Sequence, residues 1–270
     1  MRFCIAIGAK LVPTTPVALG GDFIAQMRVA SEIGFQGVEL HSPSSSLIDV
    51  SAVKQAMAQD HLKVETIGTG PIWGKFGLSI MDQDPVRLSV LMEMVKKYID
   101  VASKIGSKIT IGSIKGNIPS FMTYEQGISY GAKSYQELDA YAGHKGVTIL
   151  LEATNRYENN YFNRGQEVYD FIENYELKHT QILLDAFHAN IEEPDFSHCV
   201  YPLMNHLGHI HFADNNRHWP GSGCLDLDGF AQQIRDTGYG GVVSIECLPW
   251  PDSMTAAQKS LEFFRKHFHD

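Results

Sequence analysis

Short runs of aliphatic and β-branched residues recur along this chain, each followed by a longer stretch of helical period, and the unit repeats eight times. The runs are FCIAIG at 3–8, GVELHS at 37–42, KVETIG at 63–68, KITIGS at 108–113, VTILLE at 147–152, QILLDA at 181–186, HIHFA at 209–213 and VVSIEC at 242–247. Strands alternating with helices imply parallel strands joined by helical crossovers. The helical segments include DFIAQMRVASEIG, PVRLSVLMEMVKKYIDVASKIG and DLDGFAQQIRDTG, each closing on the glycine expected just past a helix terminus. No GxGxxG follows the first strand, so an open dinucleotide-binding sheet is disfavoured. The expected fold is α/β, a (β/α)8 TIM barrel. Its typical length of roughly 250 residues matches 270 residues with no composition shift, so residues 1–270 read as a single domain.

Composition removes several classes of function. The formal charge is −9, which opposes a phosphate-tracking surface, so no nucleic-acid partner is expected. The amino terminus runs from Met1 into an apolar strand without a basic leader, and no apolar run reaches membrane-spanning length; the expectation is a cytoplasmic protein with no membrane contact. Cys4, Cys199, Cys224 and Cys247 lie far apart with no CxxC, which fits neither a disulfide framework nor a thiolate zinc site.

Catalytic groups of such barrels sit at the carboxyl ends of strands. Four consecutive units of the second half end in ionisable residues: Glu152, Asp185, His211 and Glu246. One unit separates each from the next, so the four should converge at the mouth. Three carboxylates crowded there would resist ionisation unless a cation compensated them. The mixed oxygen and nitrogen set suits one divalent metal ion, Mn²⁺ or Co²⁺ foremost, with Mg²⁺ or Zn²⁺ as alternatives, and no organic cofactor. Strand alternation puts His209 on the same side as His211 but deeper, where it reads as a packed, hydrogen-bonded core residue. Glu39 and His41 share a face of the second strand, and either an ion pair with a neighbouring strand or substrate contact would explain them. Trp73 would either lay its ring against a bound substrate or simply cap the barrel top.

At these residues the sequence resembles the xylose isomerase-like barrels of the sugar isomerase/epimerase group, nearest the ketose 3-epimerases of the D-tagatose 3-epimerase type. The likeness runs in order through LEATNRYENNYFN, LLDAFHANIEE, HIHFADNNRHWPGSG and SIECLP, with a looser match around GLSIMDQDPVR. The resemblance implies that Glu152, Asp185, His211 and Glu246 ligate the metal and that Glu152 and Glu246 are also the catalytic pair. It assigns Glu158, His188 and Arg217 to the sugar hydroxyls, with the PGSG loop bringing Arg217 over the mouth. The connection SIKGNIPSFMTYEQ departs from the pattern, being short and without the aromatic-rich insertion that walls the sugar in some relatives.

The activity so implied is metal-dependent inversion of C3 of a ketose through an enediolate, one glutamate taking a proton and the other returning one to the far face. The alternatives are an aldose-ketose or hydroxypyruvate-type isomerase, a ketose-phosphate 3-epimerase, and an inosose- or dehydroshikimate-type dehydratase. A phosphate would need Arg217, His218, Lys115 and Lys75 to gather at the mouth; an unphosphorylated sugar is preferred. Family habit implies a homo-oligomer, a dimer or tetramer.

Overall fold

A computed structural model of the chain describes residues 1–12 and 14–268. Eight parallel strands close into a barrel: β1 (Arg2–Gly8), β3 (Gly37–His41), β4 (Lys63–Gly68), β5 (Lys108–Ile111), β6 (Ile149–Ala153), β7 (Thr180–Asp185), β8 (Leu207–Phe212) and β9 (Val242–Ile245). Each pairs with the next, and the last pairs with the first in the register Arg2↔Val242 to Ile5↔Ile245. The expected (β/α)8 barrel is therefore the observed one. All eight expected strands are present, with ends displaced by a residue or two.

Helices α1 (Phe23–Ile33), α2 (Val50–Gln59), α4 (Pro85–Ile105), α5 (Tyr124–Lys145), α6 (Gly165–Asn174), α7 (Ala186–Glu192) and α8 (Leu227–Asp236) fill the seven crossovers, and α9 (Ser253–His267) follows the last strand. Asp22, Asp84 and Asp226 cap α1, α4 and α8 with a side-chain oxygen on a first-turn N–H, which satisfies one otherwise unpaired donor each. Gly34 and Gly106 end α1 and α4 in the left-handed region, where only glycine is free of a Cβ clash. Two elements lie outside the repeat: β2 (Leu19–Gly20), which pairs with the end of β1, and α3 (Gly70–Phe76), inserted after β4. A two-residue strand and a seven-residue helix are too short to leave a periodic signal.

The apolar core lies between the strands and the helix ring, where Phe3, Phe212 and Phe264 meet. The lumen holds polar groups at every level, beside a few apolar side chains such as Leu150 and Leu183. At the amino end Lys108 donates to Gln181 and to the Gly208 carbonyl; midway Thr66 and Thr110 share a hydrogen bond; Glu39 and His209 are paired at 2.9 Å. Polar groups buried inside a barrel cost free energy unless each is partnered, and these are.

Candidate active site

The four expected residues meet at the carboxyl end of β6 to β9. Glu152 lies one residue before the end of β6, Asp185 ends β7, His211 lies one before the end of β8, and Glu246 follows β9 directly. Register makes Asp185 and His211 partners on adjacent strands. One ligand atom from each of the four comes within 4.8 Å of all the others. His211 Nδ1 stands 3.5 Å from Glu246 Oε2, and 3.9 Å from both Glu152 Oε1 and Asp185 Oδ2.

Room for this cluster comes from glycines. A Cβ on Gly112 would lie 2.2 Å from Glu152 Oε2, and one on Gly68 would lie 2.7 Å from the His41 ring, so any side chain there would displace the site. His211 Nδ1 and Glu152 Oε1 are buried with no hydrogen-bond partner among the described residues. Buried polar atoms are rarely left so. Two such atoms beside two further carboxylates are what a cation's donor set looks like, and three hard oxygens with one imidazole fit a divalent ion of the first transition row or Mg²⁺. The residues present therefore fit the expected metal.

Electrostatics separates the two glutamates. Burial, reinforced by the Glu246 charge, pushes the Glu152 carboxyl up to about 8. Glu246 is also largely withdrawn from solvent, but the charges of His211 and Arg217 outweigh desolvation and hold it well below the usual carboxylate range. The Arg217 guanidinium donates to Asp185 Oδ2 at 2.5 Å and to Glu246 Oε2, and it lies 4.6 Å from the Phe187 ring centre.

The loop that carries Arg217 accounts for the polar sequence after HIHFA. Asp214, fully buried, accepts the N–H groups of Asn215, Leu225 and Gly221 on its two oxygens, and Asn215 accepts that of Cys224. A Cβ on Gly223 would lie 2.1 Å from the Asn215 oxygen, and Gly221 has φ 93°. The two glycines of PGSG thus let the loop fold back onto Asp214. Arg217 itself takes φ 62°, uncommon for a side chain of this size, and its carbonyl is tied to the Leu248 N–H at 2.7 Å.

His188, on α7, points its Nε2 at Glu152 and Asp185 from 3.8 and 3.9 Å. The Asn155 backbone N–H donates to its Nδ1, so the neutral ring carries its proton on Nε2. Burial lowers its pKa to about 4, which keeps it neutral and makes it an N–H donor facing the mouth. Glu158 is half-exposed on the rim, 4.0 Å from His188 Nδ1.

Other expectations are amended. Glu39 is not paired with a neighbouring strand: it reaches across the lumen to β8, where it accepts from both His209 and His211. The packed-core reading of His209 agrees with that bond. The basic side chains considered for a phosphate do not gather: Lys115 is fully buried and donates to the Glu152 carbonyl and to Thr154 Oγ1, Lys75 lies over the Phe76 ring, and His218 stacks on Trp250. Trp73 lies on α3 at the rim and is 41% exposed. Asn155 and Gly112 went unremarked as site residues, and Lys115 was considered only for a phosphate; the signal for each was its place within four residues of a strand's carboxyl end. All four cysteines are free, and no helix among the described residues is long and apolar enough to cross a membrane.

Carboxylates and an imidazole converging on the carboxyl-end mouth of a parallel barrel define a class, the barrels whose chemistry is built around a divalent ion. The chain belongs to the xylose isomerase-like TIM barrel family, which matches residues 27–267. It is 29% identical over 83% of its length to 3-dehydro-D-guloside 4-epimerase of Escherichia coli, covering 87% of that protein. It is 26% identical to L-ribulose 3-epimerase of a Methylomonas species, covering 88% and 89% of the two chains. The crystal structure of the apo E. coli 3-keto-D-glucoside 4-epimerase superposes with a TM-score of 0.83 at 25% identity, over 98% of this chain and 99% of that one. These relatives are named as epimerases, in agreement with the expected isomerase.

Proposed function

We propose that the protein inverts a sugar carbon next to a ketone, C3 of an unphosphorylated ketose, by proton exchange between Glu152 and Glu246. The observation that carries this reading is the pairing of two glutamates, one buried on β6 and one largely buried after β9, around a donor set that fits one metal ion. Glu152, Asp185, His211 and Glu246 would hold the ion. Bound there, it supplies Lewis-acid polarisation of the ketone and offsets the three carboxylates.

The chain's own groups do the rest. One glutamate removes the proton from the carbon beside the ketone, which leaves an enediolate, and the other delivers a proton to the opposite face. The Nε2–H of His188 and the guanidinium of Arg217 are preorganised donors for the oxygens on which negative charge grows. Glu158 accepts a sugar hydroxyl at the rim. The burial of Lys115 and the dispersal of the other cations favour an unphosphorylated substrate.

A second reading, inversion at C4 of a 3-keto-glycoside, keeps the same chemistry. It is favoured by the 29% identical relative and by exposed Trp73 on α3 and Tyr157 and Trp250 on loops at the carboxyl end, placed to flank a larger substrate beside the short β5–α5 connection.

The test is incubation of Mn²⁺-loaded protein in D₂O with free ketoses and 3-keto-glycosides, followed by NMR at each carbon. Deuterium at C3 of a ketose with the C3 epimer appearing supports the first reading; deuterium at C4 of the keto-glycoside supports the second. Exchange at C1 with an aldose forming would reassign the protein to aldose-ketose isomerisation, and a conjugated enone to a dehydratase. Glu246→Gln and Glu152→Gln are each expected to lower turnover at least about a thousandfold, the loss of one general acid-base group.

A further inference from the structure

One buried carboxylate stands behind the metal ligands without joining them. Glu39 is fully buried on β3, three positions round the barrel from β8. Its Oε1 accepts from His209 Nε2 at 2.9 Å and from His211 Nε2 at 3.1 Å, and its Oε2 lies 3.2 Å from the same His211 nitrogen. The two rings, spaced i, i+2 on β8, meet edge to face with centroids 5.1 Å apart.

The proton count follows from the chemistry of the groups. An ionised carboxylate only accepts, so the nitrogen facing it carries hydrogen. His211 Nε2 is therefore N–H, and only Nδ1 can be vacated for a metal. That nitrogen is the buried, unpartnered atom aimed at Glu152, Asp185 and Glu246. Two donors on one carboxylate also fix its rotation: if His209 released Oε1, Glu39 would be free to turn away from His211.

We propose that Glu39 is a positioning residue for the metal centre, holding the His211 Nε2–H so that Nδ1 is the ligand, and that His209 is the anchor that keeps Glu39 in place. A carboxylate behind a ligating histidine raises the basicity of the ligating nitrogen and fixes the ring plane. Glu39, His209 and His211 could themselves be read as a metal triad, since their atoms also lie within 4.8 Å of one another. Against this, both Nε2 atoms are already engaged as donors, and no member of the trio exceeds 1% exposure. The proposal rests on the metal reading of the preceding section.

The experiment compares the wild-type chain with Glu39→Gln, Glu39→Ala and His209→Gln. Mn²⁺ affinity is read by calorimetry, and the imidazole N–H and ¹⁵N resonances are read on the Zn²⁺-loaded protein. Expected are a ten- to hundredfold loss of Mn²⁺ affinity in both Glu39 variants, a smaller loss in His209→Gln, and a wild-type His211 Nε2–H signal that shifts upfield when Glu39 is neutral. Glu39 variants that melt earlier but bind Mn²⁺ as tightly as wild type, with that signal unmoved, would overturn the proposal and leave the metal site standing. A wild-type chain that binds no Mn²⁺ would overturn the metal reading together with it. Should the Glu39 variants fail to fold, His209→Gln decides: unchanged Mn²⁺ affinity there sinks the proposal, and weakened affinity supports it.

Discussion

At Glu152 the chain concentrates several constraints on one carboxylate. Gly112 leaves it room, the Lys115 ammonium holds its backbone carbonyl, and Glu246 and Asp185 repel its charge. With its pKa pushed up to about 8, the metal-free side chain keeps a proton at neutral pH, and a cation must displace that proton to bind. Metal affinity should therefore rise with pH through the neutral range, by up to tenfold per unit for each proton released. Calorimetric Mn²⁺ titrations from about pH 6 to about pH 9 check the slope, and a flat profile would contradict the raised carboxyl. The four clustered residues were legible in the sequence because each lies at or just past the carboxyl end of the strand in its own repeat. Glu39 was visible but its partner was not, since period-two alternation tells which face a residue takes and nothing about what lies across the lumen.

Among the elements, α7 shows two roles divided between the oxygens of one side chain. Asp185 caps the helix by accepting the Phe187 N–H on Oδ1 at 2.8 Å, while Oδ2 faces His211 and Arg217. Asp185→Asn keeps a capping oxygen and loses the charge. It should weaken Mn²⁺ binding at least about tenfold and, by breaking the buried pair with Arg217, lower metal-free stability by about 3 kcal/mol; denaturant melts and calorimetry on the same variant separate the two. Helices α1, α4 and α8 were readable because an Asp precedes each, an apolar stripe runs through it and glycine follows. Helix α3 was not, for it has one buried residue and too few turns to show a period. Glu246 read as part of a strand but lies just past β9, where the backbone has left the sheet to meet the Arg217 loop.

For the whole molecule, the four residues proposed to hold the ion come from four successive βα units that no short segment can hold together, so a bound ion should stabilise the entire barrel. At a hundredfold excess over its dissociation constant a ligand adds about 2.7 kcal/mol. In a chain of this size that corresponds to a melting temperature roughly 5 °C or more above that of the chelator-treated protein. Scanning calorimetry with and without a chelator, then with Mn²⁺ restored, measures it; an unchanged melt would argue that the ion is absent or bound only by surface groups. Fold class was legible from the eightfold repeat alone, whereas the polar lumen was not, because Lys108, Gln181 and Thr110 read as ordinary strand-edge residues until the sheet closes on itself.

Closure between β1 and β9 also sets an order of events during synthesis. Chains emerge amino terminus first, at about 5–20 residues per second, so β1 leaves the ribosome long before the strand it must pair with, and Glu246 is the last ligand to be made. Until β9 arrives, the edges of β1 and β8 are open and the charged lumen faces solvent through the gap. A nascent chain halted before residue 242 can bring together at most three of the four residues proposed to hold the ion. The charged interior that the mature barrel hides would then serve the unfinished one, since an exposed gap lined with Lys108, Gln181 and Glu39 is less adhesive to other nascent chains than an apolar one would be.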